Sequence, residues 1–482
     1  MDKMLNTHNP RSSRDLRRNP THDCPYNTPV GRYFVENFGC RATQADGAAI
    51  EHQLSESGMT RAASPNEAEV VVLNTCTVTA AADQDARAAI RRVHRANPSA
   101  RILVTGCYAQ RAPEEISAID GVSLVVGNSH KHRLAELAAS SAFVALESIA
   151  SSAAAPTRAP IVVEDIFAHT QLLAAPVFDS DNEKTRPNLK VQDGCNNRCS
   201  FCVIPFVRGR SRSLPLGEVL RNVDQLVANG YQELVLSGIN LGRWGRDLRA
   251  NSDAIEPLDR LRFTDLLRAI LDHTTVPLLR ISSVEPMDWS DELIALVAAT
   301  PRIARHAHVP LQSGSDRILR RMARRYRPWH YEDRIQRIHH AMPQAAIGAD
   351  VMVGFPGESD ADFEETRALI ERLPFTYLHV FTYSSRPGMP SAQMPDQVPV
   401  AKARERNRIL REFAAIKHRE FQQQFLGGTL RALTLTHQAN GRTEALTENY
   451  QKLWLTGSLP PNRMLSARIH CIEGEALVGE AE

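Results

Sequence analysis

No run of about eighteen consecutive apolar residues occurs in the 482-residue chain, so a membrane-spanning helix is not expected. The first thirty residues carry several arginines but no apolar segment of the kind a secretory signal needs, and 1–30 is predicted to be a disordered tail. Cysteine is scarce: eight in so long a chain exclude a disulfide scaffold. An excess of one charge is also missing. The balance of 57 Lys+Arg against 55 Asp+Glu selects no class of partner, although arginines gather in local runs. What remains is ordinary for a globular protein, at 43% hydrophobic and 23% charged residues, and long enough for two or three domains. Six of the eight cysteines fall into two sets of three. That grouping suggests ligands in a reducing compartment, so a cytoplasmic protein is expected.

The first set is local. Cys195, Cys199 and Cys202 form a C-x3-C-x2-C array at the start of the stretch 194–212. Soft thiolates at this density select zinc or an iron–sulfur cluster. A structural zinc site wants a fourth protein ligand nearby, and none is obvious, whereas a [4Fe–4S] cluster held by three cysteines keeps one iron open. The spacing resembles the signature of the radical S-adenosylmethionine (SAM) enzymes, in which SAM chelates the open iron. That resemblance places Phe201 near the adenine of SAM.

The second set is dispersed. Strands are predicted at 33–38, 69–75, 101–106 and 124–126, with helices at 43–57 and 80–96 between the first three. This alternation implies a doubly wound parallel sheet whose strand carboxyl ends share one edge. Cys40, Cys76 and Cys107 each follow a strand, so they can converge there. A lone buried cysteine is usually a small hydrophobe; three at equivalent positions suggest a second three-cysteine cluster.

A stretch rich in alanine and serine opens a linker over 137–185. Six strands follow, at 189–193, 233–237, 278–283, 306–312, 347–353 and 377–383, separated by helical segments. They predict a full or partial parallel barrel with its chemistry at the strand carboxyl ends. Gly238, Gly242 and Gly245, Glu285, Gln312 with Gly314, and Asp350 with Gly354 and Gly357 mark those ends. Each glycine either turns the chain or lets backbone approach a cofactor. Glu285 is either a ribose ligand or a solvated carboxylate. A basic amphipathic helix is predicted over 400–425. Short alternating runs at 430–436, 442–446, 452–455 and 464–470 then suggest a small antiparallel barrel or sheet, a type that often binds oligonucleotides. The helix arginines are either phosphate contacts or a solvated face. Cys24 and Cys471 are assigned nothing.

The order of these parts resembles the radical SAM methylthiotransferases over nearly all of 31–482. The segments 191–202, 281–286, 308–316 and 348–358 look like that family's motifs. The segments 39–44, 202–213, 379–398 and 448–450 look most like the branch acting on N6-threonylcarbamoyladenosine at position 37 of tRNA. The resemblance implies an N-terminal methylthiotransferase domain (31–136), a radical SAM domain with a partial (β/α)6 barrel (186–425) and a small TRAM-like β domain (426–482). It implies two [4Fe–4S] clusters, on Cys40/Cys76/Cys107 and Cys195/Cys199/Cys202, and SAM beside Phe201, Gly238, Glu285, Gln312 and Asp350. tRNA would be the substrate, with an external electron donor and a sulfur donor. No catalytic general base is required. One departure is Thr43, where family members usually carry asparagine. Alternative readings are a sister branch acting on isopentenyladenosine-37 or on a ribosomal-protein aspartate, a radical SAM enzyme of other chemistry, and a two-cluster electron carrier. The carrier reading leaves unexplained why each set stops at three cysteines.

Overall fold

A computed structural model describes residues 31–139, 158–169, 172, 185–248 and 261–482. The predicted tail and most of the alanine- and serine-rich stretch lie outside these residues, as does Cys24.

The N-terminal sheet contains β1 (Arg32–Asn37), β2 (Thr60–Arg61), β3 (Val70–Thr75), β4 (Arg101–Gly106), β5 (Val122–Gly127) and β6 (Ile161–Val162), in the order β2-β1-β3-β4-β5-β6. All pairs are parallel. The Val-Val-Val-Leu run of β3 is buried throughout because helices cover both faces of the sheet. Val71 and Leu73 pack with Ile90 and Val93 of the helix Ala80–Ala96. Val70 and Val72 pack with Ile50 and Leu54 of the helix Arg41–Glu56. The two-residue strands β2 and β6 are too short to carry a periodic signal and were not predicted.

The central unit contains β7 (Asn188–Asp193), β8 (Arg212–Ser213), β9 (Glu233–Gly238), β10 (Leu278–Ile281), β11 (His306–His308), β12 (Ala346–Val353) and β13 (Tyr377–Thr382). One sheet runs β10-β9-β7-β8 and the other β11-β12-β13. A bridge between Leu279 and Ile303 joins them. The six parallel strands therefore form an arc, a partial barrel. Strand β8, which was not predicted, pairs antiparallel with β7 along its outer edge. Strand β11 is shorter than its predicted 306–312. The chain passes Pro310, which has no N–H to donate, and Gln312 takes a left-handed backbone at φ 63°. Gln312 still bonds β12 on both sides, donating to the Asp350 carbonyl at 2.8 Å and accepting from the Met352 N–H at 2.8 Å.

The helix Val400–Gln423 leads into a closed barrel of β14 (Thr429–Ala439), β15 (Arg442–Thr447), β16 (Lys452–Thr456), β17 (Met464–Glu473) and β18 (Ala476–Ala481), in the order β14-β15-β16-β18-β17. The antiparallel expectation needs correcting at one place: β16 and β18 pair in parallel, and β18 was not predicted. The barrel core includes Ala346 from the start of β12, so the barrel packs against the floor of the arc. Among the described residues no helix is long and apolar enough to cross a membrane.

Candidate active site

Strand parity decides what faces the inside of the arc. On β11, His306 and His308 lie two residues apart and so point the same way, as do Tyr377 and His379 on β13. Between them β12 contributes Gly348, where a Cβ would meet the Tyr377 ring at 2.0 Å, and Asp350. These side chains, with Tyr450 from the C-terminal barrel, form the inner part of a cavity of about 580 Å³. The same cavity is lined by Cys195, Cys199 and Cys202 and by Cys40. Phe201, Gly238, Glu285, Gln312 and Asp350, spread over 150 residues of sequence, all line the same space.

The array begins directly after β7. Gly194 needs a left-handed backbone (φ 71°), and a Cβ there would meet the Arg210 carbonyl oxygen at 2.0 Å. Ser200 fixes the loop, donating its hydroxyl to the Arg321 carbonyl at 2.8 Å and its N–H to that of Met322 at 3.0 Å. The sulfurs receive donors: Cys195 from the Asn197 N–H (3.4 Å) and Asn240 Nδ2 (3.5 Å), Cys199 from Arg324 Nη1 (3.3 Å). Burial and then Cys199 push the Cys202 thiol up to about 12. Such a thiol is protonated at neutral pH and becomes a ligand when a metal displaces its proton. Three convergent sulfurs supplied with N–H donors fit an iron–sulfur cluster.

Glu285 is only partly exposed and is not free. It pairs with the buried Arg324, which also donates to Cys199. Phe201 stands edge-on to Phe355 at 6.3 Å and offers its ring to the cavity. Of the glycines marked in the sequence only Gly238 lines the space. Gly314 and Gly354 face packed protein instead, at Thr366 and Ala403, so the cofactor-approach reading does not apply to them.

The dispersed cysteines do converge. Cys40 caps the helix Arg41–Glu56, Cys76 follows β3, and Cys107 opens the helix Cys107–Arg111 after β4. At Gly39 a Cβ would come within 2.7 Å of the Cys76 sulfur. Burial, then Cys107 and more weakly Cys40, push the Cys76 thiol up to about 12. Cys107 accepts from Asn128 Nδ2 at 3.6 Å and packs with Val203 and Val207, just beyond the first array. Thr43 places its hydroxyl 3.5 Å from the Cys40 sulfur. Threonine therefore makes a polar contact to this cysteine.

Behind the two sets lies a buried ion network absent from the sequence reading. Asp46, from the N-terminal helix, bonds Lys131, Lys190 and Arg208, and Asp193 bonds Lys190 and Arg208. The cations hold both carboxylates well below the usual carboxylate range against the opposing effect of burial. Arg212 lies 3.9 Å from Asp193 as well, so four cations face two carboxylates and leave positive charge beside Cys107 and Cys40. A second joint comes from the 379–398 segment: Arg386 bonds Asp83 and Thr77 next to Cys76, and Ser384 accepts from the Ala80 N–H at 3.1 Å.

Residues 32–127 match the family described as uncharacterized protein family UPF0004, and residues 189–370 match the radical SAM superfamily. The threonylcarbamoyladenosine tRNA methylthiotransferase MtaB of Aquifex aeolicus (strain VF5) is 36% identical over 417 residues, 86% of this chain and 94% of that protein. This chain belongs to the radical SAM methylthiotransferase family. The tRNA-2-methylthio-N(6)-dimethylallyladenosine synthase of Acidothermus cellulolyticus (strain ATCC 43068 / DSM 8971 / 11B) is 34% identical over 447 residues, 90% of this chain and 82% of that protein. Among solved structures, the radical S-adenosylmethionine methyltransferase TsrM from Kitasatospora setae shares the fold with a TM-score of 0.52 at 16% identity, covering 75% of each chain. As a radical SAM enzyme the methylthiotransferase uses SAM and a [4Fe–4S] cluster. Histidines 306, 308 and 379, Tyr377, Tyr450 and Arg324 were not singled out from sequence. The i, i+2 spacing puts His306 with His308 and Tyr377 with His379 on one strand face each, but does not say which face looks inward.

Proposed function

We propose that this methylthiotransferase adds a methylthio group to C2 of N6-threonylcarbamoyladenosine at position 37 of tRNA, with Cys195/Cys199/Cys202 holding the SAM-binding cluster and Cys40/Cys76/Cys107 a second one. The observation that carries the reading is the convergence of Cys40 and the C-x3-C-x2-C array in the lining of one cavity. When bound, the two clusters and SAM supply one-electron cleavage of SAM, removal of hydrogen from C2 and the sulfur to be added.

The chain's own residues orient and seal. Arg324 ties Cys199 to Glu285 and so holds the SAM side of the wall in register. Phe201 offers an apolar ring for the adenine of SAM, and Gly238 and Gln312 line the approach with backbone. Asp350 sits between His308 Nε2 (3.4 Å) and His379 Nδ1 (3.3 Å), an arrangement able to orient hydrogen bonds to the substrate base. Tyr377 and Tyr450, with ring centroids 5.5 Å apart, line the floor. An external electron donor and a sulfur donor complete the requirements, and the tRNA substrate makes the cytoplasm the compartment.

The test uses anaerobically reconstituted full-length protein, expected to hold about eight irons. The Cys40→Ala, Cys76→Ala, Cys107→Ala triple variant should keep about four. It should still form 5′-deoxyadenosine when reduced and make no methylthio nucleoside. Full product yield from that variant would end the sulfur-carrying role of these cysteines. Nucleoside mass spectrometry of tRNA from a deletion strain separates the threonylcarbamoyl substrate from the dimethylallyl one.

A further inference from the structure

Four arginines place charge at or near the cavity, and three of them have carboxylate partners. Arg280 and Arg186 share the buried Glu233, with Nε–Oε1 distances of 2.7 Å each. Arg324 is paired with Glu285. Arg41 lines the cavity and has no carboxylate partner among the described residues. Its backbone is fixed, because its carbonyl accepts from Asn188 Nδ2 at 2.8 Å and it starts the helix Arg41–Glu56. Its charge is felt at the buried His306 and at Tyr377.

The surroundings of this cation are hydrogen-bonding groups. His306 is 5% exposed and bonds the Tyr377 hydroxyl through Nε2 at 2.7 Å, while its Nδ1 has no partner. Tyr450 lies against His306 in a tilted ring contact, 4.5 Å between centroids. Tyr450 holds a left-handed backbone at φ 64°, an unusual conformation for a non-glycine residue. An unpaired guanidinium beside an unsatisfied buried imidazole calls for an anionic, hydrogen-bonding ligand group.

The chemistry of the substrate says where such a group lies. On adenine, the substituent on N6 and the hydrogen on C2 flank N1, along the same edge of the base. Whatever holds the substituent must therefore border the site that delivers sulfur to C2. Arg41 directly follows Cys40 in sequence and lines the same wall. Building on the reading above, we infer that Arg41, with His306, Tyr377 and Tyr450, forms the subsite for the N6 substituent, and that Arg41 selects substituents carrying a carboxylate. The threonylcarbamoyl group supplies that carboxylate together with a ureido carbonyl and a hydroxyl. A dimethylallyl group supplies none of these and would leave the guanidinium and the imidazole unsatisfied.

The test compares three anticodon stem-loop RNAs on the reconstituted holoenzyme: one with N6-threonylcarbamoyladenosine at position 37, one with its methyl ester, and one with N6-dimethylallyladenosine. The wild-type enzyme should favour the free acid over the ester in kcat/KM by about ten- to hundred-fold, the worth of a charge-assisted hydrogen bond. Arg41→Gln should remove that preference by lowering turnover of the acid alone, and Arg41→Lys should restore part of it. An equal loss on acid and ester would show that Arg41 only shapes the cysteine pocket, and would overturn the inference. Should Arg41→Gln fail to load iron, the wild-type comparison decides by itself: equal turnover of acid and ester overturns the inference and leaves the proposed reaction standing. Methylthiolation of the dimethylallyl RNA alone overturns both.

Discussion

Glu233 has no exposed surface and is held between the guanidinium groups of Arg280 and Arg186. Burial alone would raise its pKa, but the two arginines bring it down from 4.5 to about 2. A folded-state pKa below the unfolded one contributes stability that is complete above pH 4.5 and is lost as the pH falls through about 2. Arg280 spends its remaining donors on the Glu448 and Thr447 carbonyls at 3.1 Å each, and its guanidinium lies over the Tyr450 ring at 5.4 Å. One carboxylate thus docks the C-terminal barrel on the floor of the cavity. Glu233→Gln should destabilise the protein by about 3–5 kcal/mol, the cost of leaving buried guanidinium charge uncompensated. Urea unfolding of the apoprotein should show this loss at neutral pH, and the variant should lack the part of the wild-type decline in acid that Glu233 contributes. Equal unfolding midpoints at neutral pH would show that the joint carries no stability.

At the scale of elements, the helix Val400–Gln423 shows how a charge run divides between structure and surface. Arg406 is 3% exposed and bonds Glu358 and Asp360. Lys417 donates to the Glu371 and Leu373 carbonyls at 2.9 Å each. Arg408 bridges Glu405 and Glu412 on its own helix. These three are therefore not free phosphate contacts, while Arg404, Arg411 and Arg419 have no ion-pair partner among the described residues. Replacing those three with alanine should weaken tRNA binding and lower the slope of log affinity against log salt by up to about 3, because fewer counterions are released. An unchanged slope would leave the helix as a solvated face. Such division is invisible in sequence, since a helical arginine reads the same whether Glu358 waits beneath it or water does. Regular elements were more legible. Strand β3 declared itself by four apolar residues in a row, and the helix Ala80–Ala96 by its 3.6-residue pattern. Strands of two residues and the parallel pairing of β16 with β18 depend on partners distant in the chain. The cysteines of the site were legible because strand ends of a parallel sheet share an edge. The histidines were not, because nothing in the spacing of β11 and β13 alone says which face looks inward.

At the scale of the molecule, the two cysteine sets are joined by buried charge in addition to the apolar contact of Cys107 with Val203 and Val207. Asp46 is the one residue of the N-terminal helix that bonds Lys190 of β7 and Arg208 of the array segment. Asp46→Asn would leave Lys131, Lys190 and Arg208 with Asp193 as the sole carboxylate of the network. It should cost about 3–5 kcal/mol and loosen one wall of the cavity from the other. Under the proposed mechanism, radical formation needs only one wall and sulfur delivery needs both. The ratio of methylthio product to 5′-deoxyadenosine should therefore fall well below that of the wild type, alongside a lower melting temperature. A lower melting temperature with an unchanged product ratio would show that the network stabilises without aligning.

The order in which the cavity is assembled follows from where its parts lie along the chain. Cys40 belongs to the first described helix boundary, the array is complete at Cys202, and Tyr450 closes the floor only from the last barrel. During synthesis these six cysteines emerge roughly 250 residues before Tyr450. A nascent or truncated chain can therefore present both sets of thiols while lacking the Tyr450 side of the cavity. Completion of the chamber waits on the C-terminal barrel.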